Sequence, residues 1–183
     1  ERPLTPPGTQ SVYSDLGFIV LGEIVEMISG NTLEWFCQEK IFKPLGLRST
    51  SFVDLTQFKT RRIQPVHETI APTEDCPWRK KVLCGEVHDD NAYAVGGVAG
   101  HAGLFSSARD IYQILARLSR CFRGKDSFLP QALVQEFLSR DQTVQTSTFA
   151  LGWDTPSESQ SASGKYFSPR SVGHLGFTGT SIW

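Results

Sequence analysis

The chain has 183 residues, with 18 Lys and Arg against 19 Asp and Glu and a formal net charge of -1, about the length of one ordinary domain. That balance excludes a nucleic-acid partner, which would require surplus Lys and Arg to displace counterions from phosphates. With 39% hydrophobic residues, 12 Phe and 4 Trp, apolar burial can offset chain entropy, which excludes disorder. No run of about 18 apolar residues is present to span a membrane.

Residue 1 is Glu, and the closing Ser181-Ile182-Trp183 lies inside an apolar, strand-like run, so the sequence reads as an excerpt of a longer protein. Leu16 to Ser29 is rich in Leu, Ile and Val, with Glu23 and Glu26 three apart and Gly30 placed to end it. This predicts a mostly buried helix with a narrow polar stripe. Thr32 can cap a second helix running to about Phe42, after which Pro44-Leu45-Gly46-Leu47 turns the chain. Residues 54 to 95 follow neither period and hold much of the Pro, His and Cys. They read as a long packed excursion that must bury Trp78, Val82, Leu83 and Val87.

Regularity returns with the glycine-rich run 96 to 103, whose expected task is close backbone packing at a turn. Ser107-x-x-Asp110 is a capping-box-like start for a helix carrying Ile111, Ile114, Leu115 and Leu118 on one face. Another helix, with Pro130 in its first turn, should turn Leu133, Val134, Phe137 and Leu138 inward. Thr148 to Trp153 and Ser171 to Trp183 read as strands separated by an exposed Ser-rich loop. The cysteines at 37, 76, 84 and 121 form no Cys-x-x-Cys pair. They read as buried free thiols, with a Cys76–Cys84 disulfide as the competing possibility.

Several chemistries are absent from the sequence. It has no Gly-x-Ser-x-Gly elbow and no His-Glu-x-x-His, and no Lys-Ser/Thr follows the glycine-rich run. His88-Asp89-Asp90 ordinarily caps backbone groups; the competing reading is a metallohydrolase on His88, Asp89 and His101.

Three segments stand together as a pattern: Tyr13-Ser14-Asp15 at the mouth of a helix, Gly100-His101-Ala102-Gly103-Leu104-Phe105-Ser106, and Gly173-His174-Leu175-Gly176-Phe177-Thr178-Gly179-Thr180. In this order the chain resembles the serine β-lactamase and penicillin-binding-protein superfamily, in its class C β-lactamase-like branch of esterases and D,D-peptidases. The similarity extends through Glu74-x-Cys76-Pro77-Trp78-Arg79, the run from Gly85 to Ala92, and Tyr166-Phe167-Ser168-Pro169-Arg170. The resemblance implies an α/β (α+β) fold, a largely antiparallel sheet flanked by helices with an all-α region, here a partial domain over residues 1 to 183, incomplete at both ends.

The same resemblance implies a covalent serine hydrolase that needs no metal and no organic cofactor. Tyr13 takes the family's proton-shuttle position, and Asp15 stands where Asn is usual. His174, Leu175 and Gly176 occupy the Lys-Thr-Gly positions, and the N–H of Phe177 is the candidate oxyanion donor. A Tyr with an ordinary pKa near 10 acts as a base near neutrality only where cations crowd it. Leu175 removes a hydroxyl, His174 makes a fixed charge titratable, and Asp15 adds a negative charge, so recognition of anionic β-lactams should be weak.

None of the seven Lys has Ser three positions earlier, which places the Ser-x-x-Lys nucleophile outside this chain. Thr56-Gln57-Phe58-Lys59 and Cys37-Gln38-Glu39-Lys40 have that spacing without the Ser, and downstream of the Tyr motif. The expected parent is a carboxylesterase, a D,D-peptidase or a weak β-lactamase acting on a small ester or amide, peptidoglycan-derived substrates included, with the fragment itself inactive. The alternative is a non-catalytic cell-wall or protein binding module on the same fold, to be told apart by the absence of Ser-x-x-Lys upstream. A cut sheet would also leave a strand edge open to self-association.

Overall fold

The computed structural model describes residues 5–56 and 69–183. Lys59 of the Thr56 to Lys59 spacing and His67 lie outside the described residues. Two units divide the chain: a central one, Ser14–Ile114, and a flanking one built from Glu1–Tyr13 and Leu115–Trp183.

The central unit begins with α1 (Asp15–Ser29). Ser14, in extended conformation, caps it by accepting the N–H of Leu16 at 3.3 Å, and Gly30, left-handed at φ 67°, returns its N–H to Glu26. Both ends fall where the sequence sets them. The burial does not: Gly22 is the buried residue of α1, while Leu16, Val20, Leu21, Ile24, Met27 and Ile28 are exposed. A helix that is apolar all round needs cover on every side, and the central unit packs one stripe of it, where Gly22 meets Gly100 and Leu33.

Thr32 caps α2 (Leu33–Cys37) through the N–H of Trp35, and the Glu26 carboxylate accepts the N–H of Leu33 at 2.6 Å, tying α1 to α2. The helix then continues, as expected, to Phe42, but through a π turn, Gln38–Phe42, before α3 (Lys43–Leu45) closes on left-handed Gly46. Strand β1 (Ser51–Phe52) pairs antiparallel with β4 (Leu104–Phe105).

The excursion is ordered by a hairpin of β2 (Glu74–Cys76) and β3 (Lys81–Leu83), followed by α4 (Asp90–Ala94). Cys76, Leu83 and Val87 are buried as expected of this region, but Trp78 and Val82 stay exposed. What holds it is polar. The Arg79 side chain, 2% exposed, donates to the carbonyls of Val87 (2.7 Å) and His88 (3.0 Å) and to Asp90 (2.7 Å). Its guanidinium lies over the rings of Trp78 and Tyr93, 4.7 and 4.0 Å from their centroids. Trp78 therefore serves as one wall of a cation site, which does not demand full burial.

Helix α5 (Ala108–Phe122) starts with the Asp110 N–H on Ser107 Oγ, half of the expected capping box. The reciprocal half is not made. Asp110 is buried and instead accepts the N–H of Ser49 at 2.7 Å and the Thr50 hydroxyl at 2.9 Å, an anchor across some sixty residues. The division between units falls within α5.

In the flanking unit the last part of α5 buries Cys121. Asp126 holds its carboxyl below the ordinary value chiefly by accepting the Phe128 N–H, with Arg117 and Arg120 adding to it. Pro130 precedes α6 (Gln131–Phe137), whose inward residue is Val134; Leu133 and Phe137 remain exposed, against expectation. The stretch near 148 to 153 is not a regular strand but a pair of bridges, Phe149 to Asp154 and Asp154 to Gly173. The expected single strand over 171 to 183 is a hairpin, β5 (His174–Leu175) against β6 (Ser181–Ile182). Its turn is closed by Gly176 N–H to Thr180 O at 2.7 Å and Gly179 N–H to Gly176 O at 3.0 Å.

The architecture is thus mixed α and β with every strand pairing antiparallel, in three two-stranded sheets among the described residues. All four cysteines are free. No single described helix is long and apolar enough to cross a membrane.

Candidate functional site

In the flanking unit, Tyr13 and His174 meet. Tyr13, 58% exposed, sets its ring against His174 with centroids 5.8 Å apart and against Phe149 at 6.1 Å. The reason is the hairpin: β5 pairs with β6, Gly173 bridges to Asp154, and Asp154 bridges to Phe149, so His174 and Phe149 are carried on connected backbone. His174 Nδ1 lies 2.6 Å from the carbonyl oxygen of Leu175. A carbonyl only accepts, so Nδ1 carries the hydrogen and Nε2 is the ring's acceptor nitrogen.

The next three residues differ in availability. Leu175 is exposed, and Phe177 is 85% exposed at the tip of the turn. The N–H of Gly176 is already spent on Thr180. A Cβ at Gly176 would collide with the Thr180 hydroxyl, so the bare backbone expected there is also what lets this hairpin close.

Asp15 sits in the central unit, in a different grouping. Its carboxylate, that of Asp89 and the imidazole of His101 have ligand-capable atoms all within 4.8 Å of one another. Asp89 caps α4 by accepting the N–H of Ala92 at 2.7 Å on Oδ1, and the same oxygen is 2.8 Å from His101 Nε2. Burial pushes the Asp89 carboxyl up. The Ala92 N–H, the hydrogen bond and charge of His101 and the Asn91 N–H together outweigh it, so the carboxyl titrates below its ordinary value. The Asp89 carboxylate is therefore the acceptor, and Nε2 of His101 carries the hydrogen.

These three side chains are also the grouping among the described residues that could hold a metal ion. The metal set weighed from the sequence, His88 with Asp89 and His101, is not assembled: His88 Nε2 turns to Glu74 at 3.3 Å. Neighbouring residues of an extended segment point to opposite sides, so His88 and Asp89 do not share a site, and Asp15 stands where His88 was expected. The missing signal was register: the sequence shows His101 in a glycine-rich loop but not which turn of α1 that loop touches.

Beside this grouping a cavity of about 590 Å³ opens between α1 and the loop, bordered by Leu16, Glu23, Glu26, Asn91, Gly100 and His101.

The family model described as Beta-lactamase matches residues 1–183. A protein of Escherichia coli (strain K12) named D-alanyl-D-alanine carboxypeptidase is 35% identical over 184 residues, covering 95% of this chain and 42% of the relative. A protein of Salmonella agona (strain SL483) with the same name is 34% identical over 183 residues, with the same coverage. The chain therefore spans about two fifths of the length of the curated relatives it matches. Among solved structures, a D-stereospecific amidohydrolase from Streptomyces sp. superimposes with a TM-score of 0.58 at 21% identity, covering 86% of this chain and 43% of that one. A penicillin-binding protein from Bacillus halodurans gives 0.53 at 22% identity, covering 74% and 36%.

Proposed function

The chain belongs to the β-lactamase family, and we propose that it is part of a serine hydrolase that transfers an acyl group from an ester or amide to water. The observation that carries this reading is the contact of Tyr13 with His174, two family-motif positions 161 residues apart in sequence whose rings lie 5.8 Å from each other.

In this mechanism a serine that the chain does not supply attacks the carbonyl carbon, and Tyr13 Oη takes the proton from its hydroxyl. The C–O or C–N bond breaks, the leaving group receives that proton, and an acyl-serine ester remains. Water then attacks the ester, giving a proton to Tyr13 that returns to the serine oxygen as the carboxylic acid departs. His174, through Nε2, polarises or orients Tyr13. The N–H of Phe177 donates to the oxyanion, and Leu175 with Gly176 borders the acyl group. Asp15 partners the cation that this family's nucleophile helix brings.

The substrate class proposed is a small ester or amide without a carboxylate next to the scissile bond. D-alanyl-D-alanine peptides are the competing substrate, supported by the name of the Escherichia coli relative. The side of β6 that does not pair with β5 is proposed as an edge through which the isolated chain associates with itself.

A fluorophosphonate tests the chemistry. Full-length protein should gain one covalent adduct by mass spectrometry and the 183-residue chain none; an adduct on any serine of this chain overturns the assignment. Sedimentation of the same two samples tests the edge, with the isolated chain expected above monomer mass and a clean monomer overturning it.

A further inference from the structure

Asp89 spends one oxygen on two N–H groups, and helix capping accounts for only one of them. The second partner, His101, has a side chain just 3% exposed and an Nδ1 with no hydrogen-bond partner. Burying an imidazole with one nitrogen unsatisfied costs free energy, so a purely local capping role leaves that cost without a return. The one further charged group in the grouping is the carboxylate of Asp15.

Backbone packing fixes this arrangement. A Cβ on Gly100 would collide with the carbonyl oxygen of Phe18, and a Cβ on Gly22 would lie 3.2 Å from the Gly100 nitrogen. Phe18 and Gly22 are three and seven residues after Asp15, on the same face of α1. His101 directly follows Gly100, so the glycine contact delivers the imidazole to the first turn of α1.

We infer that Asp89 and His101 are positioning residues that hold the Asp15 carboxylate in its working orientation, an inference resting on the reading of Asp15 as a site residue given above. The ionised Asp89 accepts the Nε2 hydrogen and thereby fixes the tautomer and plane of the imidazole. The imidazole stands among the two carboxylates. Its ligand-capable atoms and those of both carboxylates lie within 4.8 Å of one another, so the fixed ring occupies the space beside Asp15 and limits the directions in which that carboxylate can turn. The Asp89–His101 hydrogen bond and the proximity of the ring to Asp15 thus connect the cap of α4 with the residue that replaces the family's usual Asn.

A double-mutant cycle in the full-length protein, read as kcat and KM on a chromogenic ester, tests this. His101→Gln should lower kcat by about 10- to 100-fold with KM little changed, the size usual for losing a group that orients another. In the Asp15→Ala background the same substitution should cost nothing more, because its route of action is gone. Asp89→Ser keeps a good capping residue but draws the oxygen back from Nε2, and it should reproduce the kcat loss even if His101→Gln folds poorly. Losses that multiply independently, or Asp89→Ser with wild-type kcat, overturn the inference while leaving the hydrolase reading intact. Asp15→Ala with wild-type kcat overturns both the inference and the place of Asp15 in the site.

Discussion

Tyr13 is half open to solvent and touches two rings, with no hydrogen bond fixing either contact. Two residues further on, Asp15 belongs to a grouping in which one imidazole is almost wholly enclosed and one carboxylate serves two N–H groups. The first neighbourhood rests on a short hairpin, the second on a helix cap and a glycine contact between backbones. The difference matches the tasks proposed for them. A proton shuttle must stay accessible to substrate and water, whereas a residue that acts by its orientation gains from a rigid surround. A three-residue motif can supply both because Ser14, between them, ends the extended segment and caps the helix.

The sharpest way to break this contrast is kinetic. Tyr13→Phe in the full-length protein removes only the phenol oxygen and keeps the ring contacts. It should lower kcat by about 10²- to 10⁴-fold with little change in KM, as for loss of a general acid-base. His174→Ala should cost less, because the imidazole orients or polarises the phenol without attacking. Equal kcat for Tyr13→Phe and wild type on both good and poor leaving groups would remove Tyr13 from the mechanism. A larger effect at His174 would reverse the two roles.

A second perturbation addresses the rigid side. Gly100→Ala pushes a methyl into the Phe18 carbonyl, a backbone atom that cannot rotate away. Overpacking of this kind costs about 1 to 3 kcal/mol. Thermal unfolding should show a lower Tm, accompanied by a fall in kcat as His101 is displaced with its loop. An unchanged Tm would mean that the loop does not depend on this contact.

Local signals in the sequence carried the helix ends well and the tertiary partners poorly. Thr32 and Gly30 mark their caps because capping is decided within four residues; the cap by Ser14 is a finding of the structure. Asp110 looked like the second half of such a local motif but bonds to Ser49 and Thr50, a choice made by packing across the chain. The segment from 171 to 183 read as one strand because it ends in an apolar, strand-like run. Gly176 and Gly179, three apart, were the sign that it folds back. Tyr13 and His174 became a pair through their resemblance to family motifs, since no periodicity links residues so far apart. Asp89 and His101 were visible as candidates, yet their partner was misjudged: adjacency in sequence suggested His88, and the backbone direction chose Asp15.

The smallest expected effect concerns acid stability of the enclosed grouping. The Asp89 carboxyl titrates below its ordinary value in the folded chain, so its ionised form contributes stability that is complete above the unfolded value of about 3.9. That contribution disappears as pH falls through the lower folded value, where both states bind the proton equally. Asp89→Asn keeps a capping oxygen for Ala92 but has no proton to gain. The stability difference between wild type and Asp89→Asn in the full-length protein should therefore be constant above about pH 5 and shrink steadily below about pH 4. Other carboxylates with lowered values, such as Asp126 and Asp141, are common to both proteins and cancel in the comparison. Urea unfolding of both proteins across pH 2 to 7 reads the difference directly. A gap that widens toward acid would mean that Asp89 is held protonated, so that the bond to His101 Nε2 runs in the opposite sense and the imidazole presents a different face to Asp15.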